Sequence, residues 1–288
     1  MSQSTTTPAQ DTGNAEVVEN AARREMRRER RLRRRDIALS IGTPVVLLLA
    51  WEAAARTGVI DARLFSPPTA IFANAWAMIL SGELWEHSSA TIYRFLTGYL
   101  LGGLAGTFAG MIMGMSRPLN AAFGPMFSAL YALPKIAILP LLLLIFGLSD
   151  LPRILAVAFT VFFVLQINTL GGIRQFDPKT MEAATAYGAV GWKRMAFVIF
   201  PGVLPSILTG FRVAAGLGVV VVTAVEFVAS NSGLGYLIWN SWQLFQAGNM
   251  YVGLVAVALL GALATFAVAT VEYFALPWRR TGPRRSAR

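Results

Sequence analysis

The stretch IYRFLTGYLLGGLAGTFAGMIMGM, residues 92–115, decides the fold. A helix crossing a bilayer needs about 20 mostly apolar residues, and this run supplies them. Gly98, Gly102, Gly106, Gly110 and Gly114 recur every fourth residue. At that spacing they share one helix face and let another backbone approach closely. The ridge serves either static helix packing or a tight pair whose members slide. Gly210, Ala214 and Gly218 repeat it on a smaller scale.

Five more segments read as spans: about 37–56, 121–147, 153–173, 206–229 and 251–275. The chain is 55% hydrophobic and only 14% charged, where a soluble domain carries roughly 25% charge. The fold class is an all-α membrane protein with six transmembrane helices. Nine arginines precede the first span, and its apolar core is longer than that of a cleaved signal. Residues 1–36 are therefore expected to be a basic, disordered cytoplasmic tail, and 37–56 a retained first helix. With the N-terminus inside, nineteen basic residues lie inside and about three outside. The positive-inside rule then places both termini in the cytoplasm. Residues 57–91 form an external segment with an amphipathic helix over 68–81. Residues 92–279 form the core, and 280–288 a basic cytoplasmic end. The 230–250 loop, rich in aromatics, reads as a turn and a short interfacial helix capping the outer mouth.

Span three contains Pro125, Pro134 and Pro140. Proline removes a helix hydrogen bond, so Leu133-Pro134-Lys135 marks a bend at mid-membrane depth. Lys135, Arg212 and Glu226 are the ionisable residues placed in or near the membrane, where such groups face a cavity or a partner. With Asn168 they are the translocation-path candidates. Arg212 is placed about two turns inside the end of span five, a gate or headgroup position. Glu226 is placed near the outer end, bracing the 230–250 loop. There is no cysteine and a single histidine, His87. Thiolate chemistry and imidazole metal clusters are excluded, and no catalytic residues or metal site are assigned.

The segment 177–200 carries the functional signal. Asp177-Pro178 caps and starts a short helix, and Gly188 sits where a glycine cap ends one. Trp192–Ile199 reads as a second amphipathic piece ending at Pro201, with Pro205 before span five. A compact helix pair between two spans is a docking element. It holds no nucleophile–base pair and no phosphate-cradling loop.

Glu182-Ala183-Ala184, Gly188-Ala189, Val198, Pro201, Leu204-Pro205, Gly210 and Arg212 resemble the EAA motif of binding-protein-dependent ABC importer permeases. Leu133-Pro134-Lys135-Ile136-Ala137, Phe146-Gly147, Glu226, Gly233-Leu234-Gly235-Tyr236, Glu272 and Pro277-Trp278 are similar to the nitrate, taurine and alkanesulfonate branch. The likeness spans roughly residues 64–279. Val164 departs from it, where many members carry proline, which bears on the bend of span four. The resemblance implies the type I permease fold and an inner-membrane homodimer lining one path for a small anion. It implies two ATP-binding subunits, carrying ATP and magnesium, docked on Glu182, Ala183, Ala184, Gly188, Ala189, Trp192, Pro201 and Pro205. It also implies an external binding protein, with no cofactor and no enzymatic activity in this chain. Against this stand a stand-alone channel or secondary transporter and a membrane scaffold. The first lacks a mid-membrane acid, and the second has no use for a docking pair.

Overall fold

The computed structural model describes residues 35–279 and, before them, Arg28 and Leu32. Most of the basic tail and residues 280–288 lie outside the described residues. The chain divides into two compact units at Thr69. In the first, α1 (Arg35–Arg56) is apolar and long enough to span a bilayer. Glu52 near its end pairs with Arg56 at 2.5 Å and accepts from the Thr69 backbone N–H at 3.0 Å. Thr69 is the second residue of α2 (Pro68–Ser81).

In the second unit the helices are α3 (Glu83–Met115), α4 (Arg117–Ala132), α5 (Leu139–Phe146), α6 (Leu151–Arg174) and α7 (Pro178–Ala186). They are followed by α8 (Trp192–Arg194), α9 (Phe200–Ala229), α10 (Leu234–Gln243) and α11 (Ala247–Ala275). The described residues contain no strand.

The glycine ridge finds its partner within the chain. A Cβ built on Gly98 would lie 2.6 Å from the Ile154 carbonyl oxygen, and one on Gly110 2.7 Å from that of Gln166. At Gly102 and Gly106 it would run into the backbones of Ala158 and Phe162. Each step of four along α3 meets a step of four along α6, so the two helices run parallel in backbone contact. In a bilayer this packing replaces the hydrophobic effect as the cohesive force.

Parallel packing settles the course of span three. Asp150, just before α6, pairs with Arg94 near the start of α3. The chain leaves α3 at Met115, about 30 Å away at 1.5 Å per residue. Residues between them must therefore travel back along the whole bundle. They do so as α4 and, after a 93° bend, the stretch Lys135–Phe146. The expected single kinked span 121–147 is thus two helices. Pro134 and Pro140 lie six residues apart with a short 3₁₀ turn, Lys135–Ile138, between them. Two missing N–H donors this close break the helix rather than kink it. Counting the broken pair as one crossing, the described residues contain six helices or helix pairs long and apolar enough to span a bilayer.

α9 packs antiparallel to α6: Gly218 faces Val157, Gly210 faces Asn168, and Gly172 faces Ser206. The core lies on this seam, with Val157, Val161, Leu165, Val203, Ala214, Ala215 and Val222 buried. α6 runs unbroken through Val164. The piece expected to end at Pro201 is instead continuous with span five, giving one helix from Trp192 to Ala229 of 38 residues. A π-helical turn, Met195–Ile199, precedes Pro201. The wider turn lets the Phe200 N–H reach the Met195 carbonyl and gives room for a ring that would otherwise strike the preceding turn.

Candidate functional site

At the end of the bundle where α3 and α6 begin, four charged side chains form one cluster. Arg94 on α3 and Glu226 on α9 are buried, at 3% and 0% exposure. Arg94 Nη1 donates to Glu226 Oε1 at 2.8 Å and to the Ser232 carbonyl at 2.7 Å. Its Nε donates to Asp150 Oδ1 at 2.7 Å. Arg153 on α6 donates to the same Asp150 oxygen at 3.0 Å and to the carbonyl of Ala229. Glu226 also accepts from the Thr91 hydroxyl at 2.9 Å and the Gly235 N–H at 2.9 Å. Thr91 accepts from the Leu234 N–H at 2.7 Å, and His87 Nδ1 from the Gly233 N–H at 3.2 Å.

Two cations and two anions balance, and every contact is a hydrogen bond. A buried ion pair is tolerable only on those terms. The cluster ties α3, α6, α9 and the turn before α10 together. The glycines of that turn are required: Gly233 has φ +110°, and a Cβ on Gly235 would strike the Thr223 carbonyl. Glu226, expected along the path, is enclosed by the chain's own groups. It does brace the loop after α9. Sequence reasoning missed Arg94, Asp150, Thr91 and His87. Arg94 was open to detection as an arginine inside an apolar run.

The segment expected to dock a partner lies at the other end, between α6 and α9. The Asp177 carboxylate accepts from the Lys179 N–H at 2.9 Å, capping α7. At its far end Gly188 has φ +74°. The Gly188 N–H reaches the Thr185 carbonyl and the Ala189 N–H the Ala184 carbonyl, at 3.0 and 2.8 Å. This is a Schellman cap, which needs a left-handed residue. Arg194 Nε braces the following loop through the Ala189 carbonyl at 3.2 Å. Ala184 is buried, Ala189 half-buried, and Glu182 and Ala183 exposed. Tyr187 and Trp192 stand 92% and 80% exposed. Pro201 and Pro205 lie in the first turns of α9.

Lys135 lies at the break of span three. Its ammonium donates to the Tyr131 carbonyl and stands 4.6 Å from the centre of the Tyr131 ring. Asn168 donates to the Val164 carbonyl at 2.8 Å and lines a small cavity between α6 and α9. Arg212 pairs with Glu272 of α11. It lies well inside the long helix that begins at Trp192. Among the described residues, no group of three or more His, Asp or Glu is placed to hold a metal.

Comparison with known proteins agrees with this architecture. Residues 102–278 match the family model described as binding-protein-dependent transport system inner membrane component. The chain is 37% identical to the aliphatic sulfonates transport permease protein SsuC of Escherichia coli (strain K12), over 82% of this chain and 89% of that one. It is 33% identical to SsuC of Bacillus subtilis (strain 168), over 83% and 86%. A subunit of the inward-facing MetNI methionine ABC transporter has the same fold, with TM-score 0.58, covering 67% of this chain and 97% of that one at 17% identity. The parallel glycine-packed pair, the six spans and these matches lead to one conclusion: the chain belongs to the family of binding-protein-dependent transport system inner membrane components.

Proposed function

We propose that this permease imports a small aliphatic sulfonate or similar anion, driven by ATP hydrolysis on partner subunits. The observation that carries the ATP-driven part is the capped α7 and its exposed rim. Tyr187 and Trp192, nearly bare of contacts in the chain, flank a turn held rigid by a Schellman cap. Large aromatics exposed beside Glu182 suit a protein partner, and an ATP-binding subunit is the partner the family requires. Basic residues Arg174, Lys179, Lys193 and Arg194 gather at this end, so it faces the cytoplasm. The opposite end, closed by the Arg94–Glu226 cluster, then faces the binding protein that delivers solute. Two copies of the chain form the path, each docking one ATPase. The sulfonate assignment rests on the SsuC relatives and on the absence of a carboxylate from the polar cavities described for the bundle.

ATP energy reaches the path as a bias between two arrangements. α7 touches the core through Met181, and Met195 packs there too, which gives a load on α7 a route into the bundle. The test is uptake of an aliphatic sulfonate by vesicles containing this chain, its ATPase and its binding protein. Uptake is expected only with ATP inside the compartment that holds the ATPase. Uptake driven equally well by an ion gradient without ATP would contradict the proposal.

A further inference from the structure

An open cavity of about 640 Å³ lies between α4 and α6, with Asn120, Ser128, Gln166, Gly171 and Arg174 in its wall. A second, of about 300 Å³, lies between α6 and α9, where Gln175, Ser206 and Thr209 line it. Ile167 and Gly171 belong to both walls. Residues 167, 171 and 174 are spaced by four and three, so they form one helix face. α4 buries none of its residues and leaves that face open.

The lining is polar and its charge is one-sided. Arg174 is the ionisable side chain in these walls, and neither wall contains a carboxylate. Three arginines of the bundle, Arg94, Arg153 and Arg212, pair with acids, while Arg194 bonds only a carbonyl and a hydroxyl. Among the described residues no such pair involves Arg174.

Gly171 is the second observation. A Cβ there would meet nothing within 4 Å, whereas on neighbouring Gly172 it would lie 2.6 Å from Ser206 Cβ. Packing therefore explains Gly172 and does not explain Gly171. Glycine weakens a helix interior, and here its effect is to keep the space between the two cavities clear.

We propose that this face of α6 is the inner limb of the solute path, and that Arg174 makes it selective for small oxoanions. A sulfonate has oxygens to accept from the guanidinium and from the amide of Asn120. An exposed arginine holds an anion weakly enough to release it, as passage requires. This inference rests on the permease reading, and its test is separable from it.

The chain has no cysteine, so Gly171→Cys places one thiol in the wall where the space is open. Membranes holding the full chain are treated with an anionic reagent, 2-sulfonatoethyl methanethiosulfonate, or a cationic one, 2-(trimethylammonium)ethyl methanethiosulfonate. Each rate is normalised to that reagent's rate with free 2-mercaptoethanol. A unit charge one helix turn away should favour the anion over the cation roughly four- to tenfold at moderate salt. Adding Arg174→Gln should bring the ratio to about one. Equal normalised rates, a preference untouched by Arg174→Gln, or a thiol inert to both reagents would overturn the proposal. Ser128→Cys, on the opposite wall, replaces Gly171→Cys if that variant does not accumulate, with a preference of the same sign expected and the same loss on Arg174→Gln. Sulfonate uptake is measured on the same membranes. Charge preference without uptake defeats the assigned solute and leaves the anion-selective wall standing. Uptake without charge preference defeats this inference alone.

Discussion

Arg94 and Glu226 show how much one pair can hold in this chain. Each is buried, so removing Arg94 leaves Glu226 without its cation, and removing Glu226 leaves Arg94 and Arg153 sharing Asp150 alone. Glu226→Ala or Arg94→Ala should destabilise the protein by about 3–5 kcal/mol. The double variant carrying Arg94→Met and Glu226→Leu should do less harm than either single truncation. Thermal stability in detergent, followed by fluorescence-detected size exclusion, checks this. Additive losses in the double variant would mean the two do not act as a pair. Lys135 is a different case. Its partners are a carbonyl and a ring, so its charge is not neutralised by an acid, and it keeps its place among the path candidates.

At the scale of elements, α3 and α6 depend on bare backbone. Gly102→Leu or Gly106→Leu must push the helices apart, since a Cβ alone would strike the facing backbone. Loss of folded protein is expected, while Gly171→Ala should leave yield unchanged or improved, since only alanine's higher helix propensity acts there. Expression and monodispersity of the three variants decide it, and equal behaviour would remove the packing argument. The cap of α7 makes a subtler prediction. Gly188→Ala forces a side chain into φ +74°, at a cost of about 1 kcal/mol. Insertion should be normal and ATP-driven uptake reduced; unchanged uptake would show that the cap geometry is not needed for coupling.

These elements are legible in the sequence to different degrees. The spans at 92–115, 153–173, 206–229 and 251–275 follow from apolar length alone, because a bilayer accepts little else. Their ends do not, since α3 and the helix entering α9 continue past the apolar run into polar segments. The glycine ridge announces close packing, but its partner becomes visible only when Gly98 is seen against Ile154. Span three reads as a kink because two prolines, taken singly, each allow one. The π turn before Pro201 leaves no signal in the sequence. At the ionic cluster Glu226 and its glycine turn are legible, and Arg94 hides inside its apolar run. The arginine's acid partners come from 56 and 132 residues away, a separation that sequence spacing does not reveal.

The second unit is a helical bundle with buried charge at one end and the proposed docking element at the other. The charged end ties three helices into one body. The other end presents Glu182, Tyr187 and Trp192, and beside it runs the polar wall that ends at Arg174. In the proposed mechanism a force applied to α7 enters the core through Met181, which would join docking to passage. The most direct test is to tag this chain, solubilise its membranes gently, and measure what co-purifies and in what ratio. An ATP-binding subunit at about one copy per chain is predicted, lost in Gly188→Pro while the chain itself stays folded. A folded chain that never carries an ATPase, or a Gly188→Pro variant that retains it in full, would contradict the account.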